Sequence, residues 1–154
     1  MESLHDAKYY IDSLHLEPHS EGGYFCQTYL KEDQSFSSIY FLLETGDVSH
    51  FHQLKEDEVW YFHDGVSLII YEITEDGELF ATALGRNIAK GEKLQHLVKA
   101  GHIFAAELKE AGFALVGCMV CPAFSYEHFK LFTQAELLEK YPQHAEIITR
   151  LSIK

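Results

Sequence analysis

Two histidines and a glutamate in one stretch of the chain have the types and spacing of a reactive site. His50 and His52 lie two residues apart, and Glu58 begins a second β-type run, EVWYF, after the turn QLKED. Alternate residues of a strand share a face, so both imidazoles are expected on one face. The second run would fold back beside the first. The sequence therefore predicts that two imidazoles and one carboxylate lie together.

This trio suits two kinds of chemistry. Two histidines and a carboxylate are a common ligand set for divalent transition metals, so His50, His52 and Glu58 are candidate ligands of iron, manganese, nickel or zinc. The same groups suit metal-free proton transfer, because a carboxylate fixes the tautomer of an imidazole and tunes its pKa. The chain has ten histidines, so such spacings can arise by chance. The alternative to a reactive site is therefore a hydrogen-bonded cluster at the protein surface.

Aromatic residues are expected around the trio. Trp60 and Phe62 follow Glu58 at alternate positions, which turns them toward the same face. Polar groups in an aromatic lining are typical of a small-molecule pocket. Upstream, Glu21 and Tyr24 flank two glycines. Glu21 is a candidate ligand contact, and Tyr24 either packs beside a tight turn or offers its phenol at the pocket mouth.

Short β-type runs with regular turn signals surround these residues. From about residue 22 to 132, glycine-containing turns separate runs rich in Ile, Val, Tyr and Phe, as in a sandwich or barrel. Runs such as 38–43 and 66–73 are apolar on both faces, which indicates two stacked sheets with a further outer layer. Apolar periodicity predicts short terminal helices, the first with Ser3 available as its N-cap. We expect one all-β domain over residues 1–154.

Composition and charge exclude several classes of function. The chain is 47% hydrophobic and carries a formal net charge of −12, which predicts a folded protein that repels nucleic acid and anionic membranes. No apolar stretch approaches the roughly 20 residues that span a bilayer, and no secretory signal is visible, so we expect a cytoplasmic protein. Three cysteines argue against a disulfide framework, and Cys118 and Cys121 are expected to be packed or partly packed thiols.

Four blocks of the chain resemble the cupin-5 branch of the cupin superfamily, a domain of unassigned function. The second block contains a Gly, the H-x-H pair, Glu58 and Gly65, although the interval from His52 to Glu58 is one residue longer than usual. The resemblance implies a jelly-roll barrel, or double-stranded β-helix, usually dimeric. It also implies a likeness in shape to deoxysugar-nucleotide epimerases and metal-dependent cupin enzymes. The blocks are HLEPHSEGGYFCQTY (15–29), SIYFLLETGDVSHFHQLKEDEVWYFHDG (38–65), KAGHIFAAE (99–107) and ALVGCMVCPAFSYEHFKL (114–131).

The chain departs from this family pattern at positions that bear on the ligand. Phe104 stands where cupins usually supply another histidine, and a phenyl ring cannot bind a metal. Cys26 and Gln53 stand where the branch commonly has arginine, so an anionic ligand would lack those partners. We therefore expect Phe104 on the pocket wall, any metal to be weakly held, and a ligand that is not strongly acidic.

Three functions stay open from the sequence. The first is an isomerase or epimerase-type enzyme for a sugar-like or polar metabolite, with His50 or His52 as base, Glu58 orienting it and Tyr24 as the opposing acid. The second is a metal-dependent enzyme that uses the same histidines and glutamate as ligands. The third is a non-catalytic small-molecule binding protein. In each case we expect a homodimer, because strands that are apolar on both faces leave surface uncovered in a lone barrel.

Overall fold

The computed structural model describes residues 4–154, in which eleven strands and three short helices are found. Each helix has seven residues, and within the described range no helix is long and apolar enough to cross a membrane. The helices are α1 (Ala7–Ser13), α2 (Gln134–Lys140) and α3 (Ala145–Leu151). The strands are β1 (Glu17–Pro18), β2 (Tyr24–Leu30), β3 (Ser37–Glu44), β4 (Val48–Leu54), β5 (Asp57–Gly65), β6 (Leu68–Ile73), β7 (Leu79–Leu84), β8 (Gln95–Val98), β9 (Ile103–Leu108), β10 (Phe113–Cys121) and β11 (Phe129–Leu131).

The strands form two antiparallel sheets that face each other. The first sheet has the order β1-β2-β3-β10-β5-β8, and the second has the order β11-β4-β9-β6-β7. Successive strands from β3 to β6, and again from β8 to β11, alternate between the sheets. Such crossing connections are those of a jelly roll. The predicted all-β jelly-roll barrel with short terminal helices is thereby confirmed.

Apolar side chains fill one end of the space between the sheets, and a cavity occupies the other. Trp60, Phe41 and Phe104 meet in the filled part, with ring centroids 5.8 Å apart for Phe41 and Trp60 and 6.3 Å for Trp60 and Phe104. Leu68 and Ile70 of β6 extend this cluster and are fully buried. The packed half fixes the distance between the sheets and therefore the width of the open half.

The outer face of each sheet is covered by helices, which explains why several strands are apolar on both faces. The side chains of Phe51 and Ile148 belong to the cluster between the second sheet and the two C-terminal helices. On the first sheet, α1 packs over Leu42 and Leu115. Asp6 caps α1 by accepting a hydrogen bond from the Tyr9 amide; Ser3, the predicted cap, lies outside the described residues.

A buried carboxylate links the two sheets at one edge. Glu72 of β6 lies 2.6 Å from His96 Nε2 of β8 and 2.9 Å from His102 Nδ1, using a different carboxylate oxygen for each ring. Since β6 and β8 belong to different sheets, the contact joins them. Burial of a carboxylate is tolerated when such partners satisfy both oxygens.

Candidate functional site

A cavity of about 170 Å³ lies inside the open half of the barrel. It is comparable with the roughly 150 Å³ engineered cavity that holds benzene, so it suits a small ligand. The mouth lies near Tyr126, whose side chain is 61% exposed. The polar lining residues are His19, Glu21, Gln27, His52, Glu58, Cys118 and Tyr126, and the apolar ones are Phe25, Ile39, Leu54, Val120, Phe124 and Phe129.

A bulge in β4 decides which histidine enters the cavity. Ser49 and His52 of β4 pair with Ala106 and Phe104 of β9, respectively. The two β4 residues are three positions apart and their partners only two, so between these pairs two β4 residues stand opposite one β9 residue. The extra residue shifts the alternation by one position. Ser49 and His52 consequently both contact Glu21, whereas His50 is not among the lining residues. The expectation that both histidines enter one cavity is therefore corrected by the bulge.

A tight turn brings Glu21 to the cavity. Gly22 has φ of +112°, and a Cβ at this position would lie 1.9 Å from the carbonyl oxygen of Val48, so only glycine allows this approach. His50 holds the turn from outside, because its amide and its ring Nδ1 both lie 2.8 Å from the Glu21 carbonyl oxygen. Ser49 Oγ donates a short hydrogen bond to the Glu21 carboxylate. His50 thus supports the site without lining it.

His52 and Glu21 form a pair that shares a proton. The ring Nδ1 of His52 lies 2.7 Å from the carbonyl oxygen of His50, which can only accept, so Nδ1 carries a hydrogen. The other nitrogen, Nε2, lies 3.0 Å from Glu21 Oε2. Two unprotonated groups would repel at this distance, so one of them carries a proton. The imidazole and the carboxylate are therefore placed for a direct hydrogen bond between Nε2 and Oε2.

His19 lines the cavity in the opposite tautomer. The backbone amide of Glu21 donates to His19 Nδ1 at 3.1 Å, which leaves the ring proton on Nε2. Burial lowers the pKa of His19, and the nearby His52 lowers it further, although the charge of Glu21 opposes both effects. The ring packs edge to face on Phe25, with centroids 4.6 Å apart. His19 is accordingly a neutral polar wall of the cavity at neutral pH.

Glu58 is a second carboxyl group in the same cavity, with a different protonation state. Its Oε1 accepts a hydrogen bond of 2.7 Å from Trp60 Nε1. Burial raises the pKa of Glu58 to about 8, the charge of Glu21 adds to the rise, and the bond from Trp60 opposes it. Glu58 is mostly protonated at neutral pH and so can donate a hydrogen bond.

Cys118 of β10 also lines the cavity, next to Glu58. Cys118 pairs with Trp60 of β5 in the sheet register. Val120, two residues further along β10, pairs with Glu58. Burial raises the pKa of the Cys118 thiol well above its ordinary value, and the carboxylates of Glu58 and Glu21 raise it further. Cys118 is a buried free thiol, whereas Cys121 is free and exposed. The residue therefore contributes a neutral thiol to the lining.

Three aromatic residues predicted for the pocket belong to the packed core instead. Trp60 is 1% exposed and reaches the site only through its bond to Glu58. Phe62 lies in the filled end of the barrel, where the guanidinium of Arg86 covers its ring at 5.4 Å. Phe104 packs behind His52 with centroids 4.1 Å apart. Alternation gave the correct inward face, but the cavity occupies only part of that face.

Three residues of β2 and β4 that were expected to bear on the ligand, Tyr24, Cys26 and Gln53, do not line the cavity. Tyr24 and Cys26 pack in the outer cluster beneath α1, while Phe25, between them, lines the cavity. Tyr24 therefore does not offer its phenol at the mouth, which corrects that prediction. Gln53 donates to the carbonyl oxygen of Gly101 at 2.7 Å and is also absent from the lining. Neither Cys26 nor Gln53 therefore lines the cavity.

The predicted metal ligands do not have the geometry of a metal site. His50 lies outside the lining, and the two ring nitrogens of His52 contact the His50 carbonyl and Glu21. Across residues 4–154, no group of three or more His, Cys, Asp or Glu side chains is arranged to hold a metal ion. The set His50, His52 and Glu58 therefore does not fit a divalent metal, and no chemical step is assigned to one.

Sequence reasoning missed several lining residues that come from outside the predicted trio. His19 lies two residues before Glu21, a spacing that was available as a signal. Cys118 lies at an alternate position from Val120 on the same strand. Phe124 and Tyr126 lie between β10 and β11, where no strand periodicity indicates the direction of a side chain, and Phe129 begins the short strand β11.

Comparisons with known proteins give a family and a fold. The family model described as "Cupin superfamily (DUF985)" matches residues 8–132. A crystal structure of a Shewanella oneidensis protein is 48% identical with a TM-score of 0.94, covering 97% of this chain and 98% of that one. A hypothetical protein from Leishmania major is 32% identical with a TM-score of 0.91, covering 97% and 100%. No curated protein matches the chain.

A more distant likeness extends to an enzyme. A mutant of oxalate decarboxylase from Bacillus subtilis is 20% identical with a TM-score of 0.63, covering 91% of this chain and 38% of that one. At this identity the likeness shows the shared barrel alone.

Proposed function

The chain belongs to the DUF985 branch of the cupin superfamily, and we propose that its barrel cavity binds a small polar metabolite and transfers a proton to or from it. The contact of 3.0 Å between His52 Nε2 and Glu21 Oε2, inside a cavity of small-molecule size, carries this proposal. A positioned imidazole and carboxylate that share one proton form a general acid–base pair.

An isomerase or epimerase-type reaction suits the two carboxyl groups of the cavity. Such a reaction needs one group to remove a proton from carbon and another to supply a proton elsewhere on the substrate. Glu21 with His52 is the accepting pair, because its shared proton leaves one basic site. Glu58 is the donor, because burial keeps it protonated at neutral pH. The C–H electrons move toward an adjacent carbonyl, whose oxygen accepts the proton from Glu58.

The size of the cavity restricts the substrate. A volume of about 170 Å³ encloses a ligand only slightly larger than benzene. A sugar nucleotide would extend far beyond the mouth at Tyr126. The favoured substrate is therefore a small carbonyl compound with polar groups, rather than a nucleotide-linked sugar.

A non-catalytic binding role is the second candidate. It is favoured by the engagement of both ring nitrogens of His52, one by a backbone carbonyl and the other by Glu21. In that case the pair only orients a ligand through hydrogen bonds. The two candidates differ in whether a proton on the ligand exchanges with solvent.

Solvent exchange of carbon-bound protons tests the proposal. Hydroxyacetone and aminoacetone are incubated in D₂O with the protein, and deuterium at the carbon between the functional groups is followed by NMR. The wild type should accelerate exchange of at least one probe over buffer, and His52→Gln should lose this acceleration by about 10²-fold or more. His63→Gln, an exposed histidine on β5, is the matched control and should retain it.

Two outcomes would oppose the proposal. Equal exchange rates with the wild type and His52→Gln would show that His52 does not transfer the proton. Binding of either probe without accelerated exchange would support the non-catalytic role instead.

A further inference from the structure

We infer that His19 binds the carbonyl oxygen of the ligand by donating a hydrogen bond from Nε2, beside the carboxyl group of Glu58, and that the ligand is an uncharged carbonyl compound. His19 has no part in the proton transfer proposed above, so this role deepens the proposed function and rests on it. Three features support the role: the orientation of the His19 ring, the open polar atoms of the cavity and the charge of its lining.

The His19 ring carries its hydrogen on the nitrogen that has no protein partner. Nδ1 accepts a hydrogen bond of 3.1 Å from the backbone amide of Glu21, so the hydrogen of the neutral ring is on Nε2. The ring stands steeply against Phe25, Phe41 and Phe129, with centroids 4.6, 6.0 and 6.3 Å away. These contacts fix the ring plane, so the donor is oriented before a ligand arrives.

Two polar atoms of the lining are left open for a ligand. His19 Nε2 and the second carboxyl oxygen of Glu58, Oε2, have no hydrogen-bond partner among residues 4–154. The side chain of His19 is 5% exposed and Glu58 is buried. Within the same residues, the one fully enclosed side-chain polar atom without a partner is Ser152 Oγ, so neither of these two atoms is sealed inside protein. Since His19 and Glu58 both line the cavity, the open space at these atoms is the cavity.

The lining is uncharged at neutral pH. Burial lowers the pKa of His19 and raises the pKa of Glu58 to about 8, so the first is a neutral ring and the second a protonated acid. Glu21 and His52 share one proton and carry no net charge, whichever of them holds it. No lysine or arginine of the described chain, residues 4–154, contributes to the lining. An ion would therefore be buried without a counter-charge, which favours an uncharged ligand.

Two neighbouring donors suit the oxygen of a carbonyl group, which accepts two hydrogen bonds. When the pair of Glu21 and His52 removes a proton from the adjacent carbon, the C–H electrons form a carbon–carbon double bond. The carbonyl π electrons move onto the oxygen, which takes the proton of Glu58. His19 keeps its own proton and stabilises the oxygen while negative charge grows on it. Uncharged imidazoles act as such donors in enzymes that isomerise carbonyl compounds.

Two ligands that differ only at the carbonyl oxygen test the role of His19. Hydroxyacetone and 2-methylprop-2-en-1-ol have nearly the same shape, but the second has a CH₂ group in place of the oxygen. His19→Asn removes the Nε2 donor and keeps an oxygen that can accept from the Glu21 amide. In NMR titrations of the full chain, this variant should bind hydroxyacetone about three- to tenfold more weakly and the alkene within about twofold of the wild type.

Equal losses for the two ligands would show that His19 only shapes the cavity, and this would overturn the inference. Failure of hydroxyacetone to bind the wild type would overturn it as well. His15→Asn is the matched control and should bind both ligands like the wild type. His15 is exposed, lies outside the cavity lining and has φ of 55°, which asparagine adopts readily.

The reaction itself gives a readout that a structural role would not move. At saturating hydroxyacetone, His19→Asn should slow the exchange of carbon-bound protons by about 10²-fold, because the hydrogen bond strengthens as charge develops on the oxygen. The carbonyl stretch of bound ¹³C-labelled hydroxyacetone should lie at a lower wavenumber in the wild type than in His19→Asn. An unchanged carbonyl stretch would contradict a bond from His19 to the oxygen.

Nitrogen NMR of the wild type gives a test that needs no variant. Hydroxyacetone should shift the Nε2 resonance of His19, with the hydrogen on Nε2 before and after binding; an unshifted resonance or a hydrogen on Nδ1 would overturn the inference. If exchange depends on His52 while the His19 readouts stay unchanged, the inference is wrong and the proposed function stands. If the carbonyl stretch depends on His19 although exchange is not accelerated, the proposed catalysis is wrong and the oxygen donor stands.

Discussion

The buried carboxyl of Glu58 should make the stability of the fold depend on pH. Burial and the charge of Glu21 raise its pKa to about 8 from an ordinary value of 4.5. Between these two values the folded protein keeps a proton that the unfolded chain has released. The contribution of Glu58 is therefore most favourable at low pH and becomes less favourable as the pH rises toward about 8.

Linkage gives the expected size of this effect. Two pKa values of 4.5 and about 8 imply that the free energy of unfolding falls by roughly 2.5 kcal/mol between about pH 5 and pH 7. Glu58→Gln keeps an acceptor oxygen for Trp60 but does not titrate. The unfolding free energy of the variant minus that of the wild type should therefore increase by this amount over the same range.

Urea unfolding at several pH values measures this difference, and other titrating groups cancel because both proteins contain them. Glu139→Gln removes one charge from an exposed position and is the matched control. The free energy of unfolding of Glu139→Gln minus that of the wild type should stay nearly constant with pH. If the difference for Glu58→Gln is equally constant, Glu58 does not titrate as a buried acid and its role as proton donor is lost.

Three further outcomes are expected. Gly22→Ala should destabilise the protein by about 2–4 kcal/mol, because its Cβ would overlap the carbonyl of Val48. Gly46→Ala, with φ of +90° and open space around it, should cost only about 1 kcal/mol in urea unfolding, and equal losses would contradict this. Iodoacetamide should label Cys121 much faster than Cys118, and comparable rates by peptide mass spectrometry would show that Cys118 is accessible. Sedimentation should give a homodimer at micromolar concentration, and a monomer of 17.7 kDa would refute this.

The layers of the fold could be predicted from the pattern of apolar residues. Runs that are apolar on both faces required a barrel core on one side and a cover on the other, and α1, α2 and α3 provide that cover. The capping box of Thr133 and Glu136 at the start of α2 is a signal of the same local kind. These signals are local, so they survive without knowledge of strand register.

The assignment of side chains to the cavity depended on register and was less predictable. The bulge in β4 adds one residue between Ser49 and His52, and this reverses the alternation on which the joint placement of His50 and His52 rested. Nothing in the letters SHFH marks the bulge. Alternation also says which face a side chain takes but not how far along the barrel the packing extends, so Trp60 and Phe62 turned inward yet entered the core.

The ring resonances of His52 provide the most direct test of the site. Nitrogen NMR of the imidazoles distinguishes a protonated Nδ1 from a free one, and it reports which rings respond to hydroxyacetone. Nδ1 of His52 should carry the hydrogen that it donates to the His50 carbonyl, and hydroxyacetone should shift the Nε2 resonance of His52 while leaving the His50 ring unchanged. A ligand that shifts the His50 ring and leaves His52 unaffected would contradict the placement of the site inside the barrel.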